Sequence, residues 1–279
     1  MINEKEIKRG KTVMSANYYN CYHLKHFAAT VAACMELPLP DNYAPAIDWA
    51  ADVLKERLGG PADRVVLYHA DSVPMYVWQQ YPYLIAPIYR YVSVTVPFVS
   101  TIIPCTPPAH ASMYTGMTTY GHGIFGYWRP QLTCDTLYDR LVEAGKKAAI
   151  VAMTDSTFLH IFAGRDIEYY ECETTDEIEA TTKKLIESDE YDFISVHTFA
   201  YDNAAHAHGP ESEQALHALE VEAKGFANIA EAMKPFSEKH RILLSYSPDH
   251  GHHLVPRGVG EHCLVIPEDM NVLHFFGTM

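Results

Sequence analysis

The sequence carries 16 histidines beside 35 acidic and 21 basic residues. Excess histidine in an acidic chain points first to metal binding or acid–base chemistry. Two segments concentrate the relevant side chains. In Asp202-Asn-Ala-Ala-His206, continued by His208-Gly209-Pro210, an acid and an imidazole stand four residues apart. That spacing puts both on one side of a helical turn, and the pair suits a borderline divalent ion such as Zn²⁺. A surface turn with a polar face is the plainer alternative. In Asp249-His250-Gly251 the two ligand types are adjacent. Neighbours point to opposite sides of an extended chain, so both reach one ion only where the chain turns, and Gly251 permits a turn. Asp71 is positioned to complete that ion's shell, and His262 is a further neutral nitrogen.

A candidate nucleophile lies in Pro104-Cys-Thr-Pro-Pro-Ala-His-Ala-Ser-Met-Tyr-Thr-Gly116, which passes from a proline-rich loop into a short helix. Thr106 stands at the helix start, where N–H groups and the dipole favour an anion. A threonine there is otherwise a plain N-cap. A nearby metal changes the balance, because coordination favours the alkoxide near neutral pH.

These residues need a frame. Apolar or alternating runs predict strands at 64–69, 91–96, 148–152, 167–171, 193–198, 242–247 and 272–276. Helical patterns cover 44–58, 74–89, 136–144, 174–187 and 211–233, with further helices around 19–35 and from 108. Thr174 and Glu177 have capping-box spacing. Strands alternating with helices give an α/β fold, a mostly parallel central sheet with helices on both faces. Chemistry in such sheets gathers at the carboxyl ends of the strands. Asp71, Asp202 and Asp249 each follow a predicted strand. The expected division is an N-terminal helical extension, 1–60, packed on a hydrolase domain, 61–279.

Composition narrows the partners. The net charge of −14 argues against nucleic-acid polymers and anionic membranes as partners, since both need a positive face. The charged first 20 residues do not read as a secretory signal, and no clean apolar run of about 18 residues occurs. Six scattered cysteines without a C-x-x-C pair fit reduced thiols and a cytoplasmic location. Other residues receive plain readings at this level. His252 and His253 read as a polar turn, with partners behind the metal ligands as the alternative, His110 and His122 as loop-orienting residues, and His69 as a core histidine. The run Tyr76, Trp78, Tyr81, Tyr83, Tyr89 and Tyr91 reads as core.

Together the motifs resemble the alkaline phosphatase superfamily, in particular its type I phosphodiesterase and nucleotide pyrophosphatase branch. The resemblance covers about residues 64–277. It rests on Asp71, Pro104 to Gly116, His122-Gly123-Ile124, Asp202 to Pro210, Asp249-His250-Gly251 and Gly260-Glu261-His262, in that order. It implies two divalent ions, zinc by type. Asp71, Asp249 and His250 would hold one, and Asp202, His206 and His262 the other. Thr106 would be the nucleophile. The implied activity is cleavage of phosphodiester or nucleotide pyrophosphate bonds in a small-molecule phosphate ester, through a covalent phosphothreonine. Phosphonate hydrolase, phosphomonoesterase and sulfatase activities on the same site are alternatives, as is a metal-binding domain without turnover.

Four details bear on that reading. Cys105-Thr-Pro-Pro-Ala109 half-resembles the sulfatase C-x-P-x-R signature, but Ala109 stands in the Arg position. The Thr115-Gly116 offset also fits Thr106 better than Cys105. Tyr127 stands where the family places a phosphate-binding Asn, and Ala205 replaces the glycine before His206. Only residues 251–261 separate His250 from His262, so the family's cap insertion is absent or minimal. The site is then open, or closed by the N-terminal segment or by another subunit, which keeps a homo-oligomer among the expectations.

Overall fold

The computed structural model describes residues 19–279; the first 18 residues of the expected extension lie outside the described residues. The strands are β1 (Tyr22–His23), β2 (Arg64–Ala70), β3 (Val94–Val99), β4 (Ala148–Met153), β5 (Glu168–Cys172), β6 (Phe193–Thr198), β7 (Ile242–Tyr246), β8 (His253–Leu254), β9 (Gly260–Glu261) and β10 (Asn271–Thr278). Eight form one sheet in the order β1-β3-β10-β7-β2-β6-β4-β5, while β8 and β9 make a small hairpin. Pairing is parallel throughout the sheet except where β10 runs antiparallel to β3 and β7.

Side-chain alternation divides the core into two layers. Along β2, Val65 and Leu67 face one cluster, and Val66 and Tyr68 face the other. The first layer takes in Phe27, Leu54, Tyr114 and Leu141 from helices Phe27–Met35, Asp48–Leu58, Thr106–Thr115 and Leu137–Glu143. The second takes in Ile178, Ala223 and Phe226 from helices Thr175–Ser188 and Glu213–Met233. Residues 22–58 are integral to the first layer. Tyr22 and His23 add an edge strand to β3, and Leu24, Phe27 and Val31 are fully buried.

The strand and helix periodicities map onto the expected elements, with five local differences. The helix expected around 19–35 starts only at Phe27, after strand β1 and a 3₁₀ turn at Leu24–His26. The helix expected over 74–89 is broken into Met75–Gln80, a 3₁₀ turn at Pro82–Ile85 and Ala86–Tyr89. Pro82 excludes the helical conformation from Tyr81, whose φ and ψ are −122° and 60°. The aromatic run therefore divides: Trp78 is buried, whereas Tyr83 and Tyr89 are exposed. The strand expected over 91–96 lies at Val94–Val99 and includes Pro97. The missing N–H of Pro97 is tolerated because β1 pairs only with Phe98 and Val99, leaving an edge at Pro97. The helix expected from 44 starts at Asp48, clear of Pro45. Thr174 accepts from Glu177 N, but the Glu177 carboxylate binds Glu173 N, one residue earlier than a capping box requires.

Candidate metal centre and nucleophile

β7, β2 and β6 are adjacent parallel strands, so the residues that follow them emerge side by side at one edge. Asp71 follows β2, the Pro248–Asp249–His250 turn follows β7, and the helix Ala200–His208 follows β6. That helix brings Asp202 and His206 to one side, with His206 Nε2 3.5 Å from Asp202 Oδ1. The Thr106–Thr115 helix, reached from β3, points its first residue at the same edge. The β8–β9 hairpin returns His252 and His262 over the top.

Two groups of side chains result: Asp71, Asp249 and His250 in one, and Asp202, His206, His252 and His262 in the other. Within each group the potential ligand atoms lie within 4.8 Å of one another. Thr106 borders the first. Its Oγ1 is 3.3 and 3.4 Å from the two Asp71 oxygens and 3.2 Å from His250 Nε2.

Surrounding bonds aim these atoms. Asp249 Oδ1 accepts from Ser72 N and His250 N, while its Oδ2 has no hydrogen-bond partner. Asp202 Oδ1 likewise has none. His250 Nδ1 bonds Gly251 O at 3.1 Å and His206 Nδ1 bonds Gly260 O at 3.0 Å. A carbonyl on Nδ1 selects the tautomer that leaves Nε2 with a lone pair for a ligand. Buried carboxylate oxygens without donors, facing buried imidazole lone pairs, are the donor set a divalent cation requires. The residues therefore fit two divalent ions.

The electrostatics agree. Burial raises the Asp71 carboxyl well above its ordinary range, and the nearby Asp249 and Asp202 charges add to it. Burial lifts Asp249 to about 7 and Asp202 to about 6. Burial also lowers His250 to about 3 and His262 to about 4, so both rings are neutral at pH 7. Three acids crowded in a buried space need cations to ionise together.

The turn at Asp249–His250 has a different origin from the one expected. Gly251 does not take a left-handed conformation. Its role is close approach, because a Cβ there would sit 2.1 Å from Glu268 O and 2.8 Å from Pro74 Cβ. Ser72 is the left-handed residue, at φ 67°. That conformation directs its N–H to Asp249 Oδ1, and its hydroxyl reaches Gly251 O and His252 Nδ1.

The helix start offers less to an anion than helix geometry alone implies. Pro107 and Pro108 have no N–H, and Ala109 N bonds Cys105 O. In the first turn only the N–H of Thr106 is left over. Cys105 is fully buried. Its contact with Cys263, and then burial, push its thiol far upward, which is unfavourable for a nucleophile. The Tyr127 hydroxyl rests on the edge of the His262 ring, 2.8 Å from Nε2.

No sequence-family profile and no curated protein matches this chain. Solved structures do. An inactive variant of murine ectonucleotide pyrophosphatase/phosphodiesterase 5, in complex with AMP, superposes with a TM-score of 0.54 at 13% identity, over 70% of this chain and 59% of that one. Phosphonoacetate hydrolase from Sinorhizobium meliloti, in complex with phosphonoformate, gives 0.51 at 15% identity, over 69% and 57%. The periplasmic domain of phosphoethanolamine transferase EptC from Campylobacter jejuni gives 0.57 at 13% identity, over 78% and 79%. Its Escherichia coli counterpart, a zinc complex, gives 0.50 at 14% identity, over 78% and 73%. The chain has the alkaline phosphatase-like fold. It spans less than two thirds of the pyrophosphatase and phosphonoacetate hydrolase chains.

Within this alkaline phosphatase-like frame the seven residues singled out for nucleophile and ligands converge at one edge of the sheet, and Tyr127 touches one of them. Sequence reading missed three neighbours. His252, read as a turn residue, is fully buried inside the second group. His197 Nε2 stands 3.4 Å from Asp71 Oδ2, with its Nδ1 on Ser156 Oγ at 2.7 Å. His110 Nε2 stands 3.5 Å from Asp249 Oδ2. One signal was available: residues two apart share a side of an extended chain, so His250 and His252 belong together. His197 carries no such signal, because its proximity to Asp71 comes from the pairing of β2 with β6. His253 bonds Asp269, His122 bonds Ser112, and His69 is buried against Ser247 O and Tyr114.

Proposed function

We propose that this protein is a two-metal hydrolase of phosphodiester or nucleotide pyrophosphate bonds in small-molecule substrates, working through a covalent phosphothreonine on Thr106. One observation carries the reading. Two groups of side chains able to ligate a metal, one buried and one half-buried, lie at the carboxyl edge of the sheet, with the Thr106 hydroxyl against the buried one.

Asp71, Asp249 and His250 would hold one ion, and Asp202, His206 and His262 the other. Two cations there supply the charge that lowers the hydroxyl pKa, neutralises the phosphoryl group and assists the leaving group. Zinc is supported by the mixed Asp/His donors and by the zinc-bound transferase of the same fold.

The chain's own part begins with Thr106. Its Oγ1 attacks phosphorus on the face opposite the leaving oxygen, whose bond to phosphorus breaks, and His250 Nε2 at 3.2 Å and the Asp71 carboxylate at 3.3 Å are the acceptors within reach of the hydroxyl proton. The Thr106 N–H and the Tyr127 O–H are donors for the phosphoryl oxygens. Water then hydrolyses the phosphothreonine and regenerates the hydroxyl.

Substrate charge favours a diester over a monoester. Among the described residues no Lys or Arg bonds either group, and Arg129 is engaged by Asp155. A monoester dianion calls for such cationic donors. The solved neighbours carry AMP in one case and a phosphonate in another, so diester, pyrophosphate and phosphonate substrates are the set to compare. The reading includes a reducing compartment such as the cytoplasm, supported by six free cysteines. No helix of the described residues is long and apolar enough to cross a membrane.

The test pairs metal content with hydrolysis of a chromogenic phosphodiester before and after chelation. About two ions per chain with chelator-sensitive turnover is the expected result. Bound metal with no turnover of any activated ester would show a metal-binding domain instead.

A further inference from the structure

Resting on that two-ion reading, we infer that His252 is a fourth ligand of the ion held by Asp202, His206 and His262. The two groups differ in make-up. The group beside Thr106 has three ligating side chains and the hydroxyl; the other has four.

Around Asp202 Oδ1 stand three imidazole nitrogens: His206 Nε2 at 3.5 Å, His252 Nδ1 at 3.7 Å and His262 Nε2 at 3.7 Å. Ligands about 2.1 Å from a tetrahedral zinc lie about 3.4 Å from one another. The His252 nitrogen keeps the same separation from the carboxylate as the nitrogens of the other two. The ring centroids agree. His252 is 4.5 Å from His206 and 4.9 Å from His262, and those two are 4.9 Å apart. His252 is completely buried, and Asp202 Oδ1 has no hydrogen-bond partner. Gly260 lets the ring in, since a Cβ there would lie 2.9 Å from His252 Cδ2.

Ser72 is the competitor. Its Oγ lies 2.5 Å from His252 Nδ1 and 3.3 Å from Gly251 O. A hydroxyl has one proton. Donated to Gly251 O, it leaves the Nδ1 lone pair to the ion; donated to Nδ1, it takes that lone pair away. A fourth protein ligand has a chemical consequence. Closed tetrahedral sites hold their ion fixed, whereas catalytic sites keep a position open for water or substrate. The group beside Thr106 has three such ligands, so its fourth position is the open one, within reach of the Thr106 hydroxyl.

Two measurements test this on the full chain. The first is a crystal structure of the zinc-loaded wild-type protein. It is expected to show a His252 nitrogen at about 2.0–2.1 Å from the ion. An ion bound by Asp202, His206 and His262 with His252 still on Ser72 overturns the inference and leaves the two-metal reading standing. Absence of ions from both groups overturns both. The second is cobalt(II) absorption and affinity for wild type, His252→Ala and Ser72→Ala. The expected result is a changed cobalt spectrum and about tenfold or greater loss at one of two sites for His252→Ala, with the Ser72→Ala spectrum unchanged. Identical wild-type and His252→Ala spectra and affinities overturn it.

Discussion

Thr106 Oγ1 lies 3.2 Å from His250 Nε2, across a sequence separation of 144 residues. The contact joins the helix after β3 to the turn after β7, and its position next to Asp71 places the hydroxyl where a cation held by Asp71 and His250 would meet it.

Thr106→Ala is expected to lower hydrolysis of an activated phosphodiester by about a thousandfold or more. Metal content should stay near wild type, because three other side chains remain in that group. Cys105→Ala, which changes a buried thiol facing Cys263, should keep turnover within several-fold. Wild-type turnover in Thr106→Ala, or its loss in a folded Cys105→Ala, would move the nucleophile assignment to another residue.

Chelation should lower the melting temperature as well as activity. An ion present at about 100 times its Kd stabilises the fold by about 2.7 kcal/mol. Removing both leaves Asp71, Asp202 and Asp249 crowded without compensation. A melting temperature unmoved by chelator, in protein shown to contain metal beforehand, contradicts this.

Acid should destabilise the metal-free protein. Burial lowers His69 and His262 to about 4, and His197, His250 and His274 to about 3, from 6.5. A lowered histidine contributes stability that is present above 6.5 and lost as pH falls towards its folded value. Asp71, raised well above the carboxylate range, Asp249 and Glu222, raised to about 7, and Asp202 and Asp269, raised to about 6, act in the opposite sense: their contribution is lost as pH rises towards those values. With His23 and His122, lowered to about 4, and His110 and His252, lowered further by burial, the histidines are the more numerous, so urea midpoints should fall from pH 7 to pH 5. Midpoints that rise over that range would refute the balance drawn here.

Gly251→Ala is expected to be severe. The new methyl would meet Glu268 O at 2.1 Å and Pro74 Cβ at 2.8 Å, both on rigid backbone or ring atoms. Overpacking of this kind costs about 1–3 kcal/mol or more, and it displaces the turn that carries Asp249 and His250. Lower stability together with weaker zinc binding is the expected pair. Wild-type zinc affinity in the variant would mean that the turn relaxes freely.

The histidine pair behind the acids gives another handle. His197→Asn removes the ring nitrogen 3.4 Å from Asp71 Oδ2. Loss of a group that orients a ligand typically costs about 10–100-fold in metal affinity. Isothermal titration with zinc would measure this, and unchanged affinity would reduce His197 to a packing role.

Much of the frame was legible because its signals are local. The apolar run Phe193–Thr198 reads as a buried strand, and that is what it forms, fully enclosed between β2 and β4. The candidate ligand positions were legible for the same reason: acids standing just past apolar strands come to the carboxyl edge whenever the strands run parallel. Pro97 within β3 was not legible, because its tolerance depends on where the partner strand β1 begins.

The sequence by itself determined which side chains could hold ions and which hydroxyl stands at a helix start, since residue type and strand-then-helix order are written along the chain. It did not determine that His252 joins Asp202, or that His197 and His110 stand behind Asp71 and Asp249. Those meetings follow from the strand order β7-β2-β6 and from the hairpin folding back over the edge. The physical reason is range. Periodicity reports which face a residue takes, over a few positions, whereas a metal centre is closed by side chains that only long-range packing brings within ångströms.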